Sequence, residues 1–479
     1  MAIVATSVNY CCDQLLSALG PSVISFPGNA SYQTTESSYW SIQEASLTPT
    51  CIATPLDTNT TGAIIHILSS LGPSCQLAIK SQGHAPAAGF ANIEDGVTID
   101  ITGLNQTVLS ADEKVVSVGT GASWSGVYDY LDPYGLVVAG GRNGAVGVGG
   151  LTLGGGISYF SPRVGYTCDT VTNFEVVLAH GKVVNANASV NSDLFRALKG
   201  GAGNFGLVTR VDLATIPQGN ILGGSVAHNT FDREAVFKAF TDIAGAINYD
   251  QYASVVTSIS FNSTSKGWSV ASTPVYTGPN ITTNATPPVY QELLAVPQLS
   301  NTIKVTNAST FSAEPAIPPL NWLFETGTYG VSASLMSQFF DICNSTLYDF
   351  DAPAGWVVWS LAFEPFPTAI TAKGAGANVL GTSPADGNSM ILLISPLWTS
   401  SNSSTLVTAK DKELLANLDA AADKIGLLHK FQYTNYAGPW QQPLKSYGWK
   451  NYGFLKGVSK RYDPKGFSQR QVPGGFKLH

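Results

Sequence analysis

Short apolar runs and helical stretches alternate through the first 219 residues. Leu15, Leu16 and Leu19 recur at helical spacing after Cys11, and Gly20-Pro21 ends that helix. "SLTPTCIATP" holds a short strand, and from about Thr60 to Leu71 the apolar positions take a helical period. Leu77-Ala-Ile-Lys80, "DGVTIDITGLN" and "KVVSVGTGAS" read as strands closed by turn residues. Ser123 to Leu131 predicts a helix. "TVTNFEVVLAHGKVVNAN" predicts a hairpin turning at Ala179-His180-Gly181. "DLFRALKGGAGNFGLVTRVDLAT" reads as a helix, a glycine turn and a strand. This half mixes helix and strand with no repeating βαβ unit.

After Pro217-Gln218-Gly219 the texture changes. Asp232 to Ile247 is amphipathic, and "YASVVTSISFN", "GWSVASTPVYTG", "GWVVWSLAFEPF" and "SMILLISPLW" alternate or run apolar. Lys410 to Leu428 carries the strongest helical pattern. An antiparallel sheet flanked by helices is expected here. The residues after 430 are aromatic-rich and poor in pattern. The expected class is α+β, divided as 1–219, 220–430 and 431–479.

Composition narrows the function. Of 479 residues, 44% are hydrophobic and only 12% charged, with a net charge of −7. There is no basic stripe for a nucleic acid, and no apolar run near the roughly 18 residues that cross a bilayer. Asn-X-Ser/Thr occurs ten times, at Asn29, Asn59, Asn105, Asn187, Asn262, Asn280, Asn284, Asn307, Asn344 and Asn402. So many sequons point to a secreted surface. Met1-Ala-Ile-Val-Ala5 lacks a basic n-region and a long apolar core, so the chain reads as a mature form whose leader was replaced by a start methionine. A cytosolic protein rich in Asn and Thr is the alternative. Cys11, Cys12, Cys51 and Cys75 suggest two disulfides in an oxidising compartment, Cys11 and Cys12 each pairing with Cys51 or Cys75. No Cys-X2-Cys or His-X3-His spacing supports a metal.

Glycine is densest from Val137 to Gly156, "VVAGGRNGAVGVGGLTLGGG". Such a run lets backbone approach a ligand or take up positive φ, and its N–H groups suit phosphates. The one G-x-G-x-x-G, Gly201 to Gly206, follows a helix and leads into a strand, the reverse of a dinucleotide fold. Neither a P-loop lysine motif nor a G-x-S-x-G elbow occurs.

Together, "SLTPTCIATP", "KSQGHA", "GFANIEDGVTIDITGLN", "VGVGGLTLGGGISYFSPRVGYTCDTV", "LFRALKGGAGNFGLVTR" and "YTNYAGP…YGWKNYGFLKGVSKRYDP" resemble the FAD-linked oxidoreductases of the vanillyl-alcohol oxidase superfamily, in the berberine-bridge-enzyme-like branch found in fungi. The resemblance spans most of the chain and implies a two-lobed FAD-binding domain, a substrate domain, and a C-terminal segment that returns to the flavin. It places covalent attachment of FAD on His84, within Ser81, Gln82, Gly83 and Ala85, where Gln82 replaces a family glycine. The second anchor of bicovalent members is a cysteine three residues before Val146; here that residue is Asn143, whose amide cannot attack as a thiolate does. Cys168 is read as packing near the flavin, with a cysteinyl bond as the alternative. Gly89, Gly140, Gly141, Val146, Gly147, Gly149, Gly150, Gly154, Gly155, Tyr166, Asp169, Gly206, Val208 and Asn435 complete the implied cofactor shell.

For catalysis, Tyr436 is the first choice to accept or orient the substrate proton and Tyr433 the second. Glu364, in "AFEPF", reads as an exposed strand residue, with a substrate-facing carboxylate as the alternative. Val146 falls where related enzymes control oxygen access, and valine resembles the permissive choice. The expectation is a secreted, monomeric oxidase that passes hydride from an alcohol to covalent FAD and then to dioxygen. A sugar and a fungal secondary metabolite fit equally as substrate. A redox-neutral isomerase or cyclase and a flavin-bearing binding protein are the alternatives.

Overall fold

The computed structural model describes residues 2–279, 281–313 and 319–478, so Met1 and the sequon at Asn280 lie outside the described residues. A four-stranded sheet comes first, in the order Ile24–Ser25, Cys51–Ala53, Val97–Asp100, Leu77–Lys80. Cys51–Ala53 and Leu77–Lys80 both run parallel to Val97–Asp100, and the helix Thr58–Leu71 makes the crossover between them. This parallel unit is not repeated. Asp57 starts the helix by accepting the N–H of Thr60 at 2.8 Å. The buried face Ile64, Ile65 and Leu68 shares a core with Val97 and Ile99. Disulfides Cys11–Cys75 and Cys12–Cys51 fasten the helix Ala2–Leu19 to this layer and decide the pairing.

A five-stranded antiparallel sheet follows, ordered Thr107–Leu109, Val115–Gly119, Leu207–Ala214, Val171–Val177, Val183–Asn187. Among the described residues a twelve-stranded antiparallel sheet forms the second half. In its central strand Ala253–Asn262 burial alternates residue by residue, and it pairs with Gly267–Tyr276 and Val357–Phe366. The helices Arg233–Ala244, Ala333–Leu347 and Ser404–Lys424 supply Phe237, Phe339 and Leu414 to a core shared with Val255, Ile259, Trp359, Leu361 and Phe363. Period-two alternation sends Val358, Ala362, Glu364 and Phe366 to the opposite face. Phe366 there belongs to the core of the first half. That end of the strand is therefore covered on both faces.

Two expectations change. The helix read from Lys410 to Leu428 runs Ser404–Lys424. Gly426, at φ +72°, lies just beyond it, and Leu428–His429 is an edge strand beside Thr328 and Tyr329. The patternless tail contains the helix Trp449–Tyr462, with Leu455, Val458 and Ser459 buried. Gln471 then ties the tail to the first sheet. Its Nε2 reaches the carbonyls of Leu68, Gly72 and Cys75 at 2.8–3.0 Å, and its own carbonyl accepts the N–H of Leu77.

The Cys12–Cys51 bridge closes a separation of 39 residues. Replacing both cysteines by serine is expected to lower unfolding free energy by about 2–4 kcal/mol. Urea titration reads this, and an unchanged midpoint would show the bridge to be idle.

Candidate active site

The loop after strand Leu77–Lys80 is built on a buried ion pair, Lys80 Nζ to Asp100 at 3.3 Å. Asp100 also accepts from Thr35 Oγ1 at 2.7 Å. From this root the chain makes a turn that only a few residues could follow. Gly83 sits at φ +67°, and a Cβ there would lie 2.8 Å from the Tyr39 ring. Ser81 Oγ donates to the Thr120 carbonyl at 2.7 Å and Gln82 Nε2 to the Gly121 carbonyl at 2.6 Å. Gln82, the departure from the family pattern, thus staples the loop rather than loosening it. On the other side the Trp40 N–H donates to Gly83 O and Ser41 Oγ donates to Ala85 O. His84 is held between, stacked on Trp40 at 4.3 Å between ring centroids. Gly89 and Ala91 donate their N–H groups to the buried carboxylate of Glu44, which burial pushes up to about 7.

Thr120 joins the loops, and sequence reasoning missed it. Its carbonyl accepts both Ser81 Oγ and the Gly149 N–H, while its own Oγ1 donates to Val208 O at 2.6 Å. Gly147 packs against Ser81 so closely that a Cβ would meet Oγ at 2.3 Å. Other glycines serve local packing. Gly140 and Gly141 back onto the Trp124 ring, and Gly206 onto the Val177 carbonyl. Asn143 closes its turn by accepting the Ala145 N–H at 2.9 Å, and the Val146 carbonyl accepts from Trp124.

Further along, the Cys168 N–H donates to Gly155 O, and Asp169 accepts from the Tyr166 N–H at 3.0 Å and from Asn378 at 2.8 Å. Burial, with Asp169 beside it, holds the Cys168 thiol well above its ordinary range. The side chain is fully buried and packs in the core of the first half.

The tail supplies the remaining face. Asn435 accepts from the Gly156 N–H at 3.3 Å and donates to Leu151 O at 3.1 Å, clasping the glycine run, with Gly150 O 3.4 Å from its Nδ2. Tyr433 is 2% exposed and its oxygen accepts the Ile157 N–H at 2.7 Å. Tyr436 instead donates to Glu364 Oε1 at 2.9 Å and accepts from Arg142 Nη2. Arg142 Nη2 also reaches Glu364 Oε1 at 2.7 Å. Here the reading of Glu364 as exposed is corrected: it is 4% exposed, because its strand end is covered on both faces. Arg142 was not foreseen, although it is the one charge in a glycine run of a charge-poor chain. Burial would pull its guanidinium down; Glu364, then Tyr436 and Tyr159, hold it well above its ordinary value. Burial raises the Tyr436 phenol against the pull of Arg142. A connected set of rings joins the two halves of the site: His84 on Trp40, Trp40 on Trp322 and Phe324, Phe324 on Tyr436.

These surroundings fit a large polar cofactor beside the glycine run. The hydroxyls of Thr152 and Thr167 and Glu364 Oε2 are buried without a hydrogen-bond partner, which native interiors rarely leave so. A Cβ on Gly150 would meet nothing within 4 Å. Residues 49–187 match a family model described as FAD binding domain. The FAD-dependent monooxygenase CTB5 of Cercospora beticola is 33% identical, covering 98% of this chain and 91% of that protein. A xylooligosaccharide oxidase from Myceliophthora thermophila C1, solved with xylobiose, has a TM-score of 0.78 at 18% identity, over 98% of this chain and 100% of that one. The glucooligosaccharide oxidase of Acremonium strictum, bearing a 6-S-cysteinyl, 8α-N1-histidyl FAD, has a TM-score of 0.75 at 19% identity, over 96% and 97%. At such identities the two structures share the fold.

Since the Tyr433 oxygen is committed to a backbone amide, Tyr433→Phe should leave the Ile157 N–H buried and unpaired. The expected loss is about 1–3 kcal/mol of stability, measured by thermal and urea unfolding. A fully stable variant would free Tyr433 for a different role.

Proposed function

This chain belongs to the FAD-linked oxidoreductases of the vanillyl-alcohol oxidase superfamily, in the berberine-bridge-enzyme-like branch, and from that premise we propose an oxidase for the alcohol group of a small secondary metabolite. The observation that carries the reading is the hydrogen-bonded set Arg142, Tyr436 and Glu364, with Glu364 Oε2 buried and open to a donor. Such a set takes the hydroxyl proton while the adjoining carbon loses hydride. When bound, FAD supplies the two-electron acceptor and hands the electrons to dioxygen, giving hydrogen peroxide. Ser81, Gln82, Gly83, His84 and Ala85, with Gly147, Gly149, Gly150 and Asn435, would hold it, and His84 would carry the covalent link. Asn143 closes its own turn through its amide and Cys168 is held as a thiol, which favours a single link.

Tyr436 Oη accepts the substrate proton and passes its own to Glu364 Oε1, 2.9 Å away. The phenol need not ionise, so its raised proton affinity is no obstacle. The relative at 33% identity is named a monooxygenase, whereas the sugar oxidases share only 18% and 19%, and this favours the secondary-metabolite alternative over a sugar. It also supports a second reading, in which an atom of dioxygen enters the product. Labelled dioxygen separates the two: an oxidase leaves the label in peroxide. Two disulfides and the exposed sequon residues Asn29, Asn59, Asn105, Asn284 and Asn402 support secretion.

Acid precipitation of the holoenzyme should leave a yellow pellet, and His84→Ala should release all its flavin. A flavopeptide containing Asn143 or Cys168 would refute the single link. In stopped-flow mixing, Tyr436→Phe and Glu364→Gln should each slow anaerobic flavin reduction by about 10²-fold or more, with reoxidation by oxygen nearly unchanged. Reduction within threefold of wild type, roughly, would remove either residue from proton transfer.

A further inference from the structure

Arg142 comes from the glycine run, Glu364 from the substrate sheet and Tyr436 from the returning tail, yet the three close one hydrogen-bonded ring. Resting on the proton-accepting reading of Tyr436 and Glu364, we infer that Arg142 is a positioning residue. It holds Glu364 as a carboxylate and fixes the direction of the Tyr436 hydroxyl, and so sets the pH range over which the pair takes a substrate proton.

Donor counting forces this geometry. Arginine has no acceptor, so both contacts of Nη2 are donations, to Glu364 Oε1 at 2.7 Å and to Tyr436 Oη. Tyr436 has one proton, and the acceptor it meets is Glu364 Oε1. The rotor is thereby locked, and one lone pair of Oη remains for an incoming O–H. On transfer, the substrate O–H bond breaks and one forms at Tyr436 Oη. The original Tyr436 O–H breaks and one forms at Glu364 Oε1. The C–H electron pair would leave as hydride, for which bound flavin would supply the acceptor, and the substrate would become a carbonyl compound. Tyrosine is neutral before and after, so the carboxylate is the group whose charge changes.

That carboxylate has little other support. Its side chain is 5% exposed, and Arg142 is its only ion-pair partner among the described residues. The other titratable groups facing the ring are Tyr159, 5.9 Å from the guanidinium carbon, and Tyr433, 4.8 Å from the Tyr436 ring. Burial raises both phenols, so neither adds charge. With Arg142 gone, Glu364 would stay buried with one oxygen bonded to Tyr436 and the other without a hydrogen-bond partner. Such a carboxyl takes up a proton and can no longer accept one from tyrosine.

Arg142→Met in the holoenzyme tests this by two readouts. Infrared titration should show a protonated-carboxyl band at neutral pH that wild type lacks, and adding Glu364→Gln should abolish it. Anaerobic flavin reduction should slow about tenfold or more at neutral pH and recover in alkaline buffer, its midpoint displaced by about one pH unit or more. Arg142→Lys should restore most of the wild-type profile. Should Arg142→Met fail to fold, Arg142→Gln carries the same test, keeping a donor without the charge. Equal slowing at every pH with no new band would overturn the proposal and leave Arg142 as packing. If Tyr436→Phe and Glu364→Gln reduce their flavin at the wild-type rate, the relay falls and the pH claim with it. The band alone still decides whether Arg142 keeps Glu364 charged.

Discussion

A guanidinium at Arg142 and a carboxylate at Glu364, 222 residues apart, meet at 2.7 Å where both are nearly out of water. Each would be costly alone in such a place, and removing one partner from a buried pair typically costs about 3–5 kcal/mol. The pairing therefore fixes more than itself. It requires the glycine run to lie against the covered end of strand Val357–Phe366, and Tyr436 brings the tail to the same point. Three distant parts of the chain acquire one common register.

The tail has no core of its own; it is held by apolar side chains shared with the cores of the first half and by polar contacts spread over its length. Asn435 clasps the glycine run, the Tyr447 hydroxyl donates to Gly200 O at 3.0 Å, and Gln471 extends the edge of the first sheet. Position at Tyr436 is thus over-determined, as the proposed proton transfer over hydrogen-bond distances would require.

Much of this was legible in the sequence, and the failures have identifiable causes. The alternation of "GWVVWSLAFEPF" located the strand, and Glu364 on it read as exposed. It could not say that the far face becomes covered near residue 364, because that cover comes from residues remote in sequence, such as Phe431, which stacks on Phe366 at 5.7 Å. Helix Trp449–Tyr462 escaped because Gly453 and Gly457 lower helical propensity and its buried stripe is only Leu455, Val458 and Ser459. His84 and the glycine run stood out through local turn chemistry. Thr120 did not, since its importance lies in one carbonyl receiving two donors from different loops, and every residue has a carbonyl.

Charge scarcity explains why Arg142 matters as much as it does. With 12% charged residues, the chain has few ions to place, and near the ring formed with Tyr436 the flanking groups are phenols that burial keeps neutral. Arg142 is then the one cation paired with Glu364 among the described residues. The adjacent residue sharpens the point. Asn143 spends its side-chain oxygen on the Ala145 N–H, stiffening the turn on which Arg142 stands. Where bicovalent relatives carry a cysteine to bond the flavin, this chain has a turn-closing amide beside a charge. Hydrogen bonding at Asn143 and the ion pair of Arg142 with Glu364 hold the segment in its place.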